Sequence, residues 1–143
     1  MTQQLRDIMT SDLSVCKPDD SVYEAAVKMK NENCGAIPIC EGDQLLGMIT
    51  DRDIVIRCIA EKRPSSTKVS DVMSEHLITG TPDMSIEQAA RLMAEKQIRR
   101  LPVVENHRLV GIVSLGDLAV HRGTLDEASF ALSEISESPE VHH

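Results

Sequence analysis

Shifted by 64 positions, the offset between Asp7 and Asp71, this chain aligns with itself. Residues 5–55 match 69–119 without a gap, and 14 of the 51 pairs are identical, where average residue usage would give about three. The pairs include Asp7/Asp71, Met9/Met73, Pro18/Pro82, Asp19/Asp83, Ser21/Ser85, Ala25/Ala89, Ala26/Ala90, Met29/Met93, Pro38/Pro102, Gly47/Gly111 and Asp53/Asp117. A chain of this kind builds one supersecondary unit twice, and any fold assigned to it must accommodate both copies.

Each copy reads the same way. Ser21-x-x-Glu24 and Ser85-x-x-Gln88 have the spacing of capping boxes, in which a hydroxyl and a side chain three residues on satisfy each other's free amides. Apolar residues follow at helical spacing: Val22, Ala25, Ala26 and Met29, then Ile86, Ala89, Ala90 and Met93. Two short apolar segments, 36–40 and 45–50, flank a polar turn at Gly42 and Asp43 and predict a hairpin, matched by 101–105 and 109–114. A short strand near 13–16 (77–79 in the second copy) precedes the first helix, and a second helix starts after Thr50 or Ser114. The expected fold is α/β (α+β), two tandem βαββα repeats packed sheet to sheet with pseudo-twofold symmetry, because one copy alone exposes too much apolar surface. The expected boundaries are repeat 1 at 5–61, a linker at 62–68 containing Pro64-Ser65-Ser66, repeat 2 at 69–122, and a C-terminal segment at 123–143. In that last segment a helix using Phe130, Leu132 and Ile135 is expected over 126–135, followed by a disordered tail.

Composition narrows the partners. One Tyr, one Phe and no Trp leave almost no aromatic face for stacking a planar ligand, which must sit between aliphatic side chains. A formal charge of −8 argues against nucleic acid, whose phosphates need clustered Lys and Arg. No segment has the length and apolarity of a signal peptide or a membrane span, so the cytoplasm is the expected compartment and no membrane partner is expected. Cys16, Cys34, Cys40 and Cys58 lack Cys-x-x-Cys spacing and are expected to be reduced, as small buried hydrophobes. The histidines (His76, His107, His121, His142, His143) show no metal spacing except the terminal pair, which has the form of a purification-tag remnant.

The segments Gly47-Met48-Ile49-Thr50-Asp51-Arg52-Asp53 and Gly111-Ile112-Val113-Ser114-Leu115-Gly116-Asp117 carry the candidate chemistry. Each has a glycine inside a strand, which marks a bulge or a close approach by another group. A hydroxyl then falls at the strand end and an aspartate three residues on. The hydroxyl can meet an anion beside free backbone amides, and the carboxylate can accept two hydrogen bonds from a ribose diol. Thr50-x-x-Asp53 and Ser114-x-x-Asp117 equally fit simple capping, which needs no ligand. Both readings stand at this point. There is no Gly-x-x-x-x-Gly-Lys loop, no Gly-x-Gly-x-x-Gly and no nucleophile–base pair, so an enzyme is not expected.

The repeat, with "GMITDRDI" and "GIVSLGDL" closing its copies, resembles a pair of CBS domains (cystathionine beta-synthase domains), together a Bateman module, over residues 5 to about 120. "TDRDIVI" and "IRRLPVVENHRLVGIVSLGDLAV" resemble small stand-alone bacterial CBS pairs, some associated with stress or hypoxic responses. The resemblance implies a non-enzymatic regulatory module and energy or stress sensor, with no covalent cofactor. Its ligand would be an adenosine compound (AMP, ADP or ATP, possibly NAD or S-adenosylmethionine), held in clefts between the repeats. By the same resemblance Ser114 and Asp117 hold phosphate and ribose in one cleft and Thr50 and Asp53 in the other. Arg100 contacts phosphate, Arg99 lies at the rim, and Ile78 completes the set. The adenine wall of the Arg100 cleft would come from Met9, Ser14, Val15, Cys34 and Gly35. Ala36 stands where Arg100 does in the second copy, which weakens the Thr50/Asp53 cleft, and Arg52 is the candidate to compensate. A homodimer is implied, with contacts through Ile54, Val55, Ile59, Leu118 and Ala119, together with an unidentified protein partner. The competing readings are a ligand-independent dimerising interaction module and a thiol or metal sensor working through Cys34 and Cys40.

Overall fold

The computed structural model describes residues 3–120. The helix expected at 126–135, the tail beyond it, His121, His142 and His143 lie outside the described residues. In chain order the elements are α1 (Leu5–Ile8), α2 (Val22–Glu32), β1 (Ala36–Glu41), β2 (Gln44–Thr50), α3 (Asp51–Asp53), a π-helical turn pair (Ile54–Ile59), a 3₁₀ turn (Val69–Asp71), α4 (Ile86–Lys96), β3 (Arg100–Glu105), β4 (Arg108–Ser114) and α5 (Leu115–Ala119). Helices and antiparallel hairpins alternate as the duplication predicts. Among the described residues no helix is long and apolar enough to cross a membrane.

Serine caps start the two long helices. Ser85 Oγ accepts from Gln88 N at 3.1 Å while Gln88 Oε1 accepts from Ser85 N at 3.0 Å, a complete capping box. Ser21 makes only the forward half, accepting from Glu24 N at 3.1 Å. Both helices end on a left-handed residue, Asn33 (φ 52°) and Gln97 (φ 54°), at equivalent positions. The first hairpin turns at Gly42 (φ 64°), and the second at Asn106 and His107, both with positive φ, as a tight hairpin requires. The strand expected before each first helix is reduced to one bridging residue, Cys16 to Ile39 and Gly80 to Val103. The second helix of copy one is not a continuous α-helix: α3 passes into a π-helix at Ile54. The run Ile54-Val55-Ile56 is β-branched and loses side-chain freedom in an α-helix, and the wider turn sets Cys58 fully buried in the core.

The chain forms two compact units. The first holds Ser14–Leu77 with His107–Leu109; among the described residues the second holds 3–13, Ile78–Asn106 and 110–120. These are not the two sequence repeats, because each repeat's opening segment lies in the other repeat's unit. Leu5 is buried in the second unit with Ile86, Met93, Leu101 and Leu118. Its counterpart Val69 is buried with Val72 in the first, against Val22, Met29, Ile37 and Ile39. The supporting bonds recur at the same offset: Leu5 N→Met84 O (2.9 Å) and Val69 N→Asp20 O (2.8 Å), and then Ile86 N→Gln3 O (3.2 Å) and Val22 N→Thr67 O (2.8 Å).

Of the residues expected from sequence to make dimer contacts, Val55 and Ile59 are 58% and 61% exposed, and Ile56, which the sequence reading did not name, is 45% exposed. Leu118 is not available there. It is fully buried in its own unit's core, because its side chain closes the α4–α5 packing.

Candidate functional site

In the second unit β4 delivers Ser114 to the start of α5. Ser114 Oγ accepts from Asp117 N at 3.1 Å, and Asp117 Oδ2 accepts from Ser114 N at 2.9 Å. In the first unit Thr50 Oγ1 accepts from Asp53 N and Asp53 Oδ2 from Thr50 N, both at 3.0 Å. The capping reading is therefore realised in both copies, and it uses only one oxygen of each aspartate. Asp53 Oδ1 faces the Arg57 guanidinium, with Nε at 3.9 Å. Arg57 also donates through Nη1 to the carbonyls of Met73 (3.2 Å) and Val72 (3.4 Å). Asp117 Oδ1 has no donor among the described residues, so it keeps an accepting site.

A second pair of equivalent bonds brings the loop before each hairpin to this point. Leu115 N donates to Arg99 O at 3.0 Å, and Asp51 N donates to Gly35 O at 2.9 Å. Arg99 and the half-buried Arg100 therefore stand beside Ser114, and neither guanidinium has a bonded partner among the described residues. In the first unit the same bond sets Gly35 and Ala36 beside Thr50. There the Asp51 carboxylate covers Gly35, its Oδ2 lying 3.1 Å from where a Cβ would stand.

The strand glycines are explained by packing. A Cβ on Gly111 would stand 2.5 Å from Met9 Sδ. One on Gly47 would stand 2.7 Å from both Met73 Sδ and the Ser74 carbonyl. The approaching group that the glycine predicts is thus a methionine, held by the bridges Thr10–Ile112 and Ser74–Met48.

Of the residues singled out from sequence, Met9, Ile78, Arg99, Arg100, Ser114 and Asp117 lie in the second unit. Ser14, Val15, Cys34, Gly35, Thr50 and Asp53 lie in the first. Ile78 is half-buried against the second core. Val15 O accepts from Lys28 Nζ, and Cys34 Sγ reaches Ala36 O at 3.6 Å. Sequence reasoning missed Arg57 and Asp51 as members of the first unit's site. The four-residue spacing from Asp53 to Arg57 was a readable signal. The placement of Asp51 over Gly35 was not.

Two of the thiols, Cys16 and Cys40, are poorly suited to chemistry. Burial pushes the Cys16 thiol up, with Lys28 opposing and Asp20 and Glu24 adding to it. Burial and then Asp43 push Cys40 up. Both therefore resist forming the nucleophilic thiolate. Among the described residues no group of three or more His, Cys, Asp or Glu is placed to hold a metal ion.

Two tandem helix–hairpin–helix repeats, each ending in a strand-end hydroxyl that caps against an aspartate, define a class of duplicated modules. This chain belongs to the CBS domain family, whose model matches residues 5–59 and 69–122. It is 49% identical over 132 residues to the CBS domain-containing protein YhcV of Bacillus subtilis, covering 92% of this chain and 94% of that protein. It is 37% identical over 118 residues to hypoxic response protein 1 of Mycobacterium tuberculosis, covering 81% and 82% respectively. A crystal structure of hypoxic response protein I with two coordinated zinc ions superposes with TM-score 0.74 at 35% identity, over 82% of this chain and 97% of that one. CBSX2 in complex with AMP gives 0.74 at 27% identity, over 87% and 97%. The CBS pair of MJ0100, in complex with 5′-methylthioadenosine and S-adenosyl-L-methionine, gives 0.74 at 26% identity, over 83% and 94%.

Proposed function

We propose that this protein is a non-catalytic regulatory module that binds an adenosine-containing compound, AMP, ADP or ATP foremost, and reports its level as an energy or stress sensor in the cytoplasm. The observation that carries the reading is the second unit's group: among the described residues Asp117 has one carboxylate oxygen committed to Ser114 N and the other without a donor, next to the loop whose Arg99 carbonyl is bonded to Leu115 N. The carboxylate accepts from ribose hydroxyls, while Ser114 Oγ and Arg100 take the phosphate. Ile78 and Met9 supply aliphatic surface in place of the missing aromatics. Thr50 and Asp53 form the corresponding pair in the first unit, where Ser14, Val15, Cys34 and Gly35 also lie. The similar structures solved with AMP and with 5′-methylthioadenosine and S-adenosyl-L-methionine support the ligand class. Titration calorimetry with AMP, ADP, ATP, NAD and S-adenosylmethionine tests it. Heat with at least one of them, lost in Asp117→Asn, is expected; no heat with any of them refutes it.

Self-association is the second part of the proposal, favoured by the exposed Val55, Ile56 and Ile59 on one helical segment. Burying three such side chains contributes several kcal/mol to association before entropic costs. The Ile59→Lys variant should run as a monomer in light scattering where the wild type runs as a dimer. A wild-type monomer would remove this part. The thiol-sensor reading is disfavoured by the burial of Cys16, Cys40 and Cys58.

A further inference from the structure

We infer that a second copy of this chain docks on the exposed Ile54–Ile59 segment through the same segment of its own first unit, the two running antiparallel about a twofold axis midway between Val55 and Ile59. This rests on the self-association reading above and adds to it which surface of the partner is met, and in which direction.

Exposed apolar surface is concentrated on this segment. Val55, Ile56 and Ile59 are three of the five large apolar residues exposed among the described residues, the others being Tyr23 and Val120. The segment is wound wider than an α-helix, so residues four apart fall nearly in line. Val55 and Ile59 therefore form a stripe with Ile56 beside them. The second unit does not repeat that stripe. A shift of 64 positions sets Val55 against Ala119, which is half-buried, Ile56 against Val120, and Ile59 against Gly123 in the sequence. An apolar stripe gains most by covering an equal one, and among the described residues only the first unit carries it. A patch that meets its own copy closes about a twofold axis and stops at a dimer.

Charge sets the direction. Asp51 stands at one end of the stripe, and Lys62 and Arg63 stand at the other, all three exposed. None of them forms an ion pair among the described residues. Asp51 and Lys62 lie on the order of 15 Å apart along one chain, too far to pair within it. Antiparallel docking puts Val55 opposite the partner's Ile59, and Asp51 opposite the partner's Lys62 and Arg63. Parallel docking puts Asp51 on Asp51 and Lys62 on Lys62, and like charges across an interface oppose association. Arg57, at the midpoint, is turned to Asp53 and to the carbonyls of Val72 and Met73, so its charge is directed to its own chain.

The test uses two full-length variants, Asp51→Lys and the double variant Lys62→Glu with Arg63→Glu, followed by analytical ultracentrifugation alone and mixed. Each alone meets like charge at both symmetric contacts and is expected to dimerise about tenfold more weakly than the wild type. An equimolar mixture brings opposite charges together at both contacts, and its heterodimer is expected to recover to within about threefold of wild-type affinity. Effects confined to one chain cannot restore association only on mixing, so a loss of folding does not imitate this outcome. A dimeric wild type with no recovery in the mixture overturns this inference and leaves self-association in place. So does a Val120→Lys variant that weakens the dimer as much as Ile59→Lys does, because the partner's second unit would then occupy this face. A monomeric wild type overturns both.

Discussion

Arg57 reaches Asp53 through Nε at 3.9 Å and carries that contact on to the backbone of the next segment, where Nη1 donates to Met73 O at 3.2 Å. The pair is half in solvent, with side-chain exposures of 52% and 14%, and ion pairs of this kind contribute little by themselves. The carbonyl contacts matter more, because they fasten the Val69–Ser74 segment to the helix that follows Thr50. Arg57→Ala is expected to destabilise the protein by about 0.5–1.5 kcal/mol. Hydrogen exchange at Val72, Met73 and Ser74 should accelerate more than at the β1–β2 hairpin. Uniform acceleration would show that the guanidinium fastens nothing locally.

The two strand glycines should respond differently to a methyl group. At Gly111 the obstruction is the Met9 side chain, which can turn away. At Gly47 it includes the Ser74 carbonyl at 2.7 Å, which is held by its bridge to Met48. Overpacking of this sort costs about 1–3 kcal/mol, so Gly111→Ala falls near the low end and Gly47→Ala near or above the high end in urea unfolding. Met9→Ala should recover part of the Gly111→Ala loss. Met73→Ala should recover little of the Gly47→Ala loss.

Arg100 and Asp117 separate binding from capping. Arg100 has no partner among the described residues, so Arg100→Gln is expected to leave the melting temperature unchanged and weaken AMP by about ten- to a hundredfold. Asp117→Asn disturbs the box with Ser114 and is expected to lower stability by about 0.5–2 kcal/mol as well as affinity. Calorimetry beside thermal melts checks both. Equal stability losses in the two variants would assign Arg100 to the fold.

The buried thiols set an alkaline limit. Burial raises Cys16 and Cys40 above the ordinary value of 9.0, so in the folded chain they stay neutral where the unfolded chain has begun to ionise. Their contribution is complete below about pH 9 and is lost as pH rises through the folded values. Melting temperature should be level from pH 7 to 8.5 and fall above pH 9, with a shallower fall in Cys16→Val. An unchanged slope would place the loss elsewhere.

The helices and hairpins were legible because their signals are local: a serine cap, alanines at helical spacing, a glycine turn. The candidate site was legible because Thr50/Asp53 and Ser114/Asp117 share one spacing. Three features were not. The π-helical turn depends on how Ile54–Ile59 packs, which no residue pattern announces. The turn at Asn106 and His107 holds two successive non-glycine residues at positive φ, where the sequence carries no glycine to mark it. The position of Asp51 over Gly35 joins residues sixteen apart through a backbone bond that only the fold supplies.

Leu5 sits under Ile86, and Val69 and Val72 sit under Val22, so the duplicated halves are interlaced. Dividing the gene at the repeat boundary would give two fragments, each carrying the missing floor of the other and lacking its own. Neither fragment is expected to fold alone, but mixed together they have what is needed to reconstitute the module. That makes the junction around Pro64 a natural place for a split reporter whose reassembly could be made to depend on ligand.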